Sequence, residues 1–242
     1  MNILIFFLFI AAAYLLGSVP MAYLVTKWSR GIDLRRYGSG NVGATNVLRQ
    51  ASKKLGILVI FFDMGKGALM IWLARISGLA IDQQIIVGVA TMIGHIWPVF
   101  LGFNGGRGVL TTIGVILMFA PLPAIILVAH AFLWLPFGHL ALGALISFII
   151  LPILTWFSTV PAINLIYGQV IPIDDLLSVT LGFAAILLIL IIRRLSAPKT
   201  SLSQTVSTRE LILNRLLFDR DIRDRKAWIN RTPQETGSDK NH

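Results

Sequence analysis

The stretch from Tyr37 to Arg49, YGSGNVGATNVLR, places many hydrogen-bond donors beside one cation in a chain that is otherwise mostly apolar. Its glycines allow the backbone to turn so that successive N–H groups point at one anion, and its hydroxyl and amide side chains add donors. Arg49 can grip a phosphate through two parallel hydrogen bonds. The sequence therefore predicts a phosphate-binding loop; a flexible linker is the alternative. Its predicted ligands are Gly38, Ser39, Gly40, Asn41, Gly43, Thr45, Asn46 and Arg49.

A second glycine-rich turn, GFNGGRG, follows an apolar segment that contains His95. Two such turns on one face of a membrane suggest two phosphate-bearing ligands, or one ligand held twice. His95 stands out from the other histidines only through its position near this turn, so a packing role is the alternative to a catalytic one. The predicted substrate contacts here are Gly105, Gly106, Arg107, Gly108 and Thr111.

A pair of ionisable residues lies inside an apolar segment, in FFDMGKG. Asp63 and Lys66 are three residues apart, so on a helix they share a face and can pair. Charged groups within a membrane span are costly and usually face the interior of the helix bundle. Lys66 is a predicted substrate contact, and a purely structural ion pair is the alternative.

Several common chemistries are excluded by what the sequence lacks. The chain has no cysteine, which removes thiolate catalysis, disulfides and Cys-based metal sites. It has no G-x-S-x-G, H-E-x-x-H or Walker A pattern. We therefore predict direct group transfer from an activated donor, without a metal or cofactor. A lipid-modifying enzyme fits, because its polar substrate comes from the cytosol and its acyl chain from the bilayer.

Composition shows what must position these loops. The chain is 56% apolar with a mean hydropathy of +0.79, which is typical of a polytopic membrane protein. The first span carries no cation before its apolar run, so we predict a retained helix rather than a signal peptide. The predicted spans are 3–26, 55–76, 84–101, 109–128, 128–146, 140–160 and 176–192.

The charge distribution orients these spans. The net charge of +10 is concentrated in residues 27–54 and in the tail after residue 193. Such clusters suit cytoplasmic loops facing anionic lipid better than a nucleic-acid surface. An odd number of spans puts both clusters in the cytoplasm, so we predict seven helices rather than six, with the N-terminus outside and the C-terminus cytoplasmic.

The basic tail, 196–242, is predicted to be separate from the membrane domain, 1–195. Ser207 and Glu210 form a capping-box pattern that predicts the start of a helix. Leu211, Phe218, Ile222 and Ile229 would share one face of a continuous helix, lying either on the membrane surface or in solvent.

Three stretches together resemble one known family: GSGNVGATNVLR, DMGKG and GHIWPVFLGFNGGRGV are similar to motifs of the PlsY family of acyl-phosphate:glycerol-3-phosphate acyltransferases. The resemblance covers residues 1–195 and implies seven transmembrane helices in the bacterial inner membrane, with a cytoplasmic active site. It implies transfer of a fatty acyl group from acyl phosphate to the 1-hydroxyl of glycerol 3-phosphate, giving lysophosphatidic acid and phosphate. Ser39, Asn41, Thr45 and Arg49 match the family's first motif.

From this resemblance we expect Ser39, Asn41 and His95 to act in catalysis and the other predicted contacts to bind substrate. The proton acceptor is either His95 or a substrate phosphate oxygen. The expected partners are the two substrates and the lipid bilayer. A transporter or a divergent, non-catalytic relative that binds a phosphate-bearing lipid or metabolite is the alternative.

The chain departs from the family pattern at three places. The second motif usually reads F-K-G-G-K-G, whereas Asn104 and Arg107 replace its lysines here. A later S-L-G is Ala141-Leu142-Gly143. The third motif usually reads R-H-x-x-N-I after the last helix, and residues 193–198 read RRLSAP, without its histidine or asparagine. ELILNRLL in the tail is a faint, displaced echo of that motif.

Overall fold

The structure is a computed structural model that describes residues 3–157 and 173–231, which form α- and 3-10 helices and no strand. The α-helices are α1 Ile3–Gly17, α2 Met21–Arg30, α3 Ala44–Gln50, α4 Lys53–Ile76, α5 Ile81–Ile96, α6 Val109–Phe119, α7 Pro121–Leu133, α8 Leu140–Trp156, α9 Ile173–Leu195, α10 Thr208–Phe218 and α11 Arg225–Ile229. Short 3-10 helices occupy Leu34–Arg36, Val99–Leu101 and Ser201–Thr205.

Four stretches of the described chain are long and apolar enough to cross a membrane: Ile3–Arg30, Lys53–Ile76, Ile81–Leu101 and Asp174–Leu195. The apolar helices α6, α7 and α8 are shorter, at 11, 13 and 17 residues. At about 1.5 Å per residue they are roughly 16–26 Å long, below the ~30 Å of a bilayer core. The all-helical membrane class is confirmed, and the count of seven spans stays a prediction.

Proline and glycine decide where the predicted spans actually break. The first span is divided between Gly17 and Met21, where Pro20 precedes α2. Residues 109–156 form three helices, as predicted, but the first boundary falls at Ala120 rather than near residue 128. Pro121 explains the shift, because proline lacks an N–H and is favoured at the first position of a helix.

The bundle packs α1 on α5, α4 on α5 and α6, α7 on α8, and α9 on α5 and α8. Its largest buried cluster contains side chains from each of the helices α5, α6, α7, α8 and α9, such as Ile116, Phe148 and Phe183. Large apolar side chains also cover the outside, where Phe61 and Leu133 are 68% and 69% exposed. So much exposed apolar surface suits helices that contact lipid.

Two glycines of the DMGKG motif have different surroundings. A Cβ added at Gly67 would overlap the carbonyl oxygen of Thr111, whereas one added at Gly65 meets nothing within 4 Å. Gly67 therefore allows α4 and α6 to approach closely. We expect Gly67→Ala to destabilise the protein by about 1–3 kcal/mol through overpacking.

The matched control is Gly65→Ala, which should stabilise the same helix by up to about 1 kcal/mol because alanine favours helix more than glycine does. Thermal unfolding of both variants in detergent checks the pair. Equal melting temperatures for the two variants would contradict the close packing of α4 against α6.

The tail differs from the single helix predicted across 211–229. The Ser207 hydroxyl accepts a hydrogen bond from the Glu210 N–H at 3.3 Å, which confirms the predicted helix start. The helix then ends at Asp219, which has a left-handed backbone (φ 55°), and the chain turns before α11. Leu211 and Trp228 are buried, so the tail folds back onto the bundle.

Candidate active site

A cavity of about 470 Å³ lies between the two glycine-rich loops, helices α6 to α8 and the tail. Its size is typical of small-molecule sites. One end is lined by polar and charged side chains: Ser39, Asn41, Thr45, Arg49, Asp63, His95, Arg107, Arg194, Asp219, Arg220 and Arg225. The other end is apolar and is lined mainly by Val109, Ile113, Ile116, Ala124, Leu127, Val128, Ala131, Leu140, Ala144 and Phe148.

The first loop owes its shape to Asn46. This buried side chain donates hydrogen bonds to the carbonyl oxygens of Tyr37 at 3.0 Å and Asn41 at 3.1 Å. Gly38 and Gly40 take left-handed φ values of 55° and 69°, which favour glycine. Together they present Ser39 and Asn41 at the edge of the cavity.

Two of the three glycine amides of the predicted nest are used within the protein. The Gly38 N–H donates to the carbonyl oxygen of Arg231 at 2.7 Å, and the Gly40 N–H donates to that of Tyr37 at 3.0 Å. These two N–H groups therefore have protein partners. The loop residues that line the cavity are Ser39, Asn41, Gly43 and Thr45.

Arg49 lies on α3 at the wall of the cavity and remains exposed. Among the described residues, none makes a hydrogen bond or ion pair with its guanidinium. Partial burial in the cavity lowers the pKa of Arg49, and the positive charge of Arg225 adds to this effect. An arginine with no compensating acid is suited to binding an anion.

The second loop is held from behind by α9. Arg193 is buried and donates to the carbonyl oxygens of Gly105 at 2.7 Å and Gly106 at 3.0 Å, and to Asn104 Oδ1 at 3.2 Å. Gly108, with φ 82°, precedes the first residue of α6. The residue that begins the altered third motif thus positions the second loop.

Arg107 of this loop is bound by the tail. Its Nε lies 2.8 Å from Asp219 Oδ1, and its Nη1 donates to the carbonyl oxygen of Arg193 at 3.3 Å. This differs from the predicted role as a free phosphate ligand, because the Nε and Nη1 groups of Arg107 already have protein partners. Lysine offers no such planar fork, so the replacement at this position suits a carboxylate partner.

The predicted Asp63–Lys66 pair is present and includes His95. Lys66 Nζ lies 3.0 Å from Asp63 Oδ1 and 2.9 Å from His95 Nδ1, and it donates to the Gly17 carbonyl oxygen at 3.0 Å. Lys66 is only 3% exposed and does not line the cavity, whereas Asp63 and His95 do. Lys66 therefore lies behind the site, where it orients Asp63 and His95.

Of the predicted site residues, the structure brings eight to the cavity: Ser39, Asn41, Gly43, Thr45, Arg49, His95, Arg107 and Gly108. The other seven do not line it: Gly38, Gly40, Asn46, Lys66, Gly105, Gly106 and Thr111. The stretch ELILNRLL, the faint echo of the third motif, does not supply Asn214 or Arg215 to the cavity. Both side chains are buried and donate hydrogen bonds to Asp221 of the tail. The sequence motifs did not predict the tail residues that line the cavity. The only signal for them in the sequence was the high density of cations after residue 208.

Comparison with known proteins identifies the family. The profile of the family described as "Glycerol-3-phosphate acyltransferase" matches residues 7–203. A Dehalococcoides mccartyi (strain CBDB1) protein named glycerol-3-phosphate acyltransferase 4 is 48% identical over 227 residues, which cover 94% of each chain. A glycerol-3-phosphate acyltransferase of Laribacter hongkongensis is 45% identical over 153 residues, or 60% of this chain and 75% of that protein.

Two solved structures share the fold. Both are crystal structures of PlsY (YgiH), an integral membrane glycerol 3-phosphate acyltransferase. Its glycerol 3-phosphate form has a TM-score of 0.67 and 32% identity, and covers 78% of this chain and 88% of that one. Its lysophosphatidic acid form has a TM-score of 0.65 and 31% identity, and covers 78% and 87%. The chain therefore belongs to the glycerol-3-phosphate acyltransferase family, as its three motifs predict.

Proposed function

We propose that this membrane acyltransferase moves a fatty acyl group from acyl phosphate to the 1-hydroxyl of glycerol 3-phosphate, giving lysophosphatidic acid and phosphate. The observation that carries the proposal is a single cavity with a cationic, hydrogen-bonding end and a long apolar end. The cationic end suits a phosphate group, and the apolar end suits an acyl chain. The names of the relatives and the two ligand forms of PlsY support the same substrate class.

The reaction requires positioning more than covalent catalysis, because acyl phosphate is a mixed anhydride. The glycerol 1-hydroxyl oxygen attacks the carbonyl carbon, the bond from that carbon to the phosphate oxygen breaks, and the hydroxyl proton leaves with the phosphate. We assign Arg49 to phosphate binding. We assign Ser39, Asn41 and Thr45 to orienting the substrates and stabilising the oxyanion.

The surroundings of His95 favour a phosphate oxygen as the proton acceptor. Lys66 Nζ lies within hydrogen-bond distance of His95 Nδ1, and an ammonium group can only donate. The same Nδ1 lies 3.4 Å from Asp63 Oδ1, so this ring nitrogen already has two protein partners and is not free to take a substrate proton. We therefore assign His95 to shaping the site, together with Asp63.

The test is purified protein in detergent with palmitoyl phosphate and glycerol 3-phosphate, following release of phosphate and formation of lysophosphatidic acid. We expect both products in equal amounts. Replacing palmitoyl phosphate by palmitoyl-coenzyme A tests the donor. Transfer from the thioester but not from the phosphate would overturn the proposed donor, and binding without transfer would indicate a non-catalytic relative.

We also propose seven spans in a bacterial membrane, with the short helices α6, α7 and α8 each crossing it and the active site facing the cytoplasm. In this arrangement residues 1–195 carry the cavity walls, and the tail closes the cavity from the cytoplasm. The positive charge of 27–54 and of the tail supports this orientation.

Single cysteines in this cysteine-free chain test the topology. Lys54 and Ser201 are exposed, so Lys54→Cys and Ser201→Cys should be labelled by a membrane-impermeant maleimide from the cytoplasmic side only. Ser77→Cys, an exposed position at the far end of α4, should be labelled from the opposite side. Labelling of Lys54→Cys and Ser201→Cys from different sides would mean an even number of spans.

A further inference from the structure

The tail brings two arginines into the polar end of the cavity. Arg220 and Arg225 both line it, as does Arg49, whose guanidinium is close enough to feel the charge of Arg225. The stem of Arg225 crosses the turn before α8, where a Cβ added at Gly138 would lie 3.2 Å from Arg225 Cδ. The two side chains therefore belong to the charged lining of the cavity, beside the turn that precedes α8.

Arg220 is a buried cation whose hydrogen-bonding capacity is not fully used. It is 6% exposed, and its Nε has no hydrogen-bond partner among the described residues. Its guanidinium lies 5.0 Å from the centre of the Phe218 ring, which orients it but satisfies no N–H group. Burial lowers the pKa of Arg220 and the charge of Arg225 adds to this, whereas Asp224 opposes it. Buried N–H donors without partners point to a ligand that accepts hydrogen bonds.

The charges around this end of the cavity do not cancel. The described residues contain four close ion pairs of lysine or arginine with aspartate, and none involves Arg49, Arg220 or Arg225. Asp219, which lines the cavity, already pairs with Arg107, and Asp224 offsets only part of the positive charge around Arg220. Three cations thus converge on one space, and their mutual repulsion is relieved by an anion placed between them.

The tail is fixed well enough to hold these arginines in place. The buried Arg215 pairs with Asp221 at 2.8 Å and donates to the carbonyl oxygen of Ala197 at 2.7 Å. Arg194 donates to the carbonyl oxygen of Leu216 at 2.7 Å. At its far end, Arg231 exchanges two hydrogen bonds with the backbone of Gly38. Both glycine-rich loops are therefore tied to the segment that carries Arg220 and Arg225.

We propose that the tail supplies an anion subsite of the substrate cavity, in which Arg220 and Arg225 act with Arg49 to bind the phosphate of glycerol 3-phosphate or of the acyl phosphate. The inference rests on the proposed function and assigns new residues to it. Arginine suits this task because its guanidinium can hold two phosphate oxygens at once.

Arg220 and Arg225 lie outside the part of the chain that the family profile matches, which ends at residue 203. The relative that matches 94% of this chain necessarily extends into the tail. We therefore place the subsite in the branch of the family that has such a tail. In such proteins the tail adds cations to the active site. In this chain, RRLSAP stands where the family usually has its third motif.

The test compares the full-length wild type with Arg225→Gln, Arg220→Gln and the double variant. Steady-state rates are measured by varying glycerol 3-phosphate and palmitoyl phosphate separately. We expect the double variant to raise KM for one substrate about tenfold or more, with a much smaller change in kcat. A rise for glycerol 3-phosphate assigns the subsite to the acceptor, and a rise for palmitoyl phosphate assigns it to the donor.

Arg223→Gln is the matched control, because Arg223 is exposed in the same segment and does not line the cavity. It removes the same charge and should leave both KM values unchanged. Arg225 is itself exposed, so Arg225→Gln remains informative if the buried Arg220 proves necessary for folding. Arg225→Lys should recover part of the lost affinity.

Unchanged KM values in both Arg225→Gln and the double variant would overturn the subsite while leaving the proposed function intact. If the wild type releases no phosphate, the proposed function is wrong. The subsite is then tested by ligand binding, measured as a change in melting temperature. Glycerol 3-phosphate or palmitoyl phosphate should then raise the melting temperature of the wild type and of Arg223→Gln but not of the double variant. An equal rise in all three with each of the two ligands would overturn the subsite.

Discussion

Arg49→Ala should lower kcat/KM for phosphate release by roughly tenfold to a hundredfold or more, while the folded protein remains in the membrane. The guanidinium faces the polar end of the cavity, and among the described residues it has no hydrogen-bond or ion-pair partner. Its proposed partner is a substrate phosphate, and a hydrogen bond to a charged group contributes about 1.5–3 kcal/mol. Removing an exposed side chain without protein partners should cost little stability.

The measurement is the steady-state rate at limiting glycerol 3-phosphate, together with the melting temperature in detergent. Arg36→Ala is the control, because Arg36 is an exposed arginine close to the same loop and does not line the cavity. It should keep near wild-type activity. Activity of Arg49→Ala equal to that of Arg36→Ala would remove Arg49 from the site.

Lys66→Met should destabilise the protein by about 3–5 kcal/mol, which is the usual cost of breaking a buried ion pair. The substitution leaves Asp63, which is 2% exposed, without its ammonium partner at 3.0 Å. It also removes the hydrogen bond to the Gly17 carbonyl oxygen that joins α4 to the first span. Because Lys66 also contacts His95, we expect transfer to fall as the site loses its orientation.

The double variant Asp63→Asn with Lys66→Met separates the cost of an unpaired buried charge from the cost of changing the side chain's shape. It removes both charges, so it should melt at a higher temperature than Lys66→Met alone. Lys54→Met is a control for removing a lysine from an exposed position of the same helix, and it should leave the melting temperature nearly unchanged. If Lys66→Met melts like Lys54→Met, the buried pair has no structural role.

Local sequence determined much of this protein. Long apolar runs require helices, because a membrane core leaves no other partner for backbone N–H and C=O groups. The spacing of Asp63 and Lys66 requires a shared face on a helix, and their pair is present at 3.0 Å. The glycines of the first loop also predicted a turn of the backbone, and Gly38 and Gly40 take left-handed φ values there. These features depend on residues close together in the chain.

Contacts between distant parts of the chain decided the rest. The sequence does not show that Asp219 would reach Arg107, or that Arg231 would bond the backbone of Gly38. Nor does it show that Lys66 would point behind the cavity rather than into it. The sequence predicted one continuous helix through the tail with a single apolar face. Instead the helix stops before Asp219, where the chain turns towards the cavity. Periodicity describes an isolated helix, whereas the direction in which a folded segment turns depends on partners that only the tertiary structure brings near.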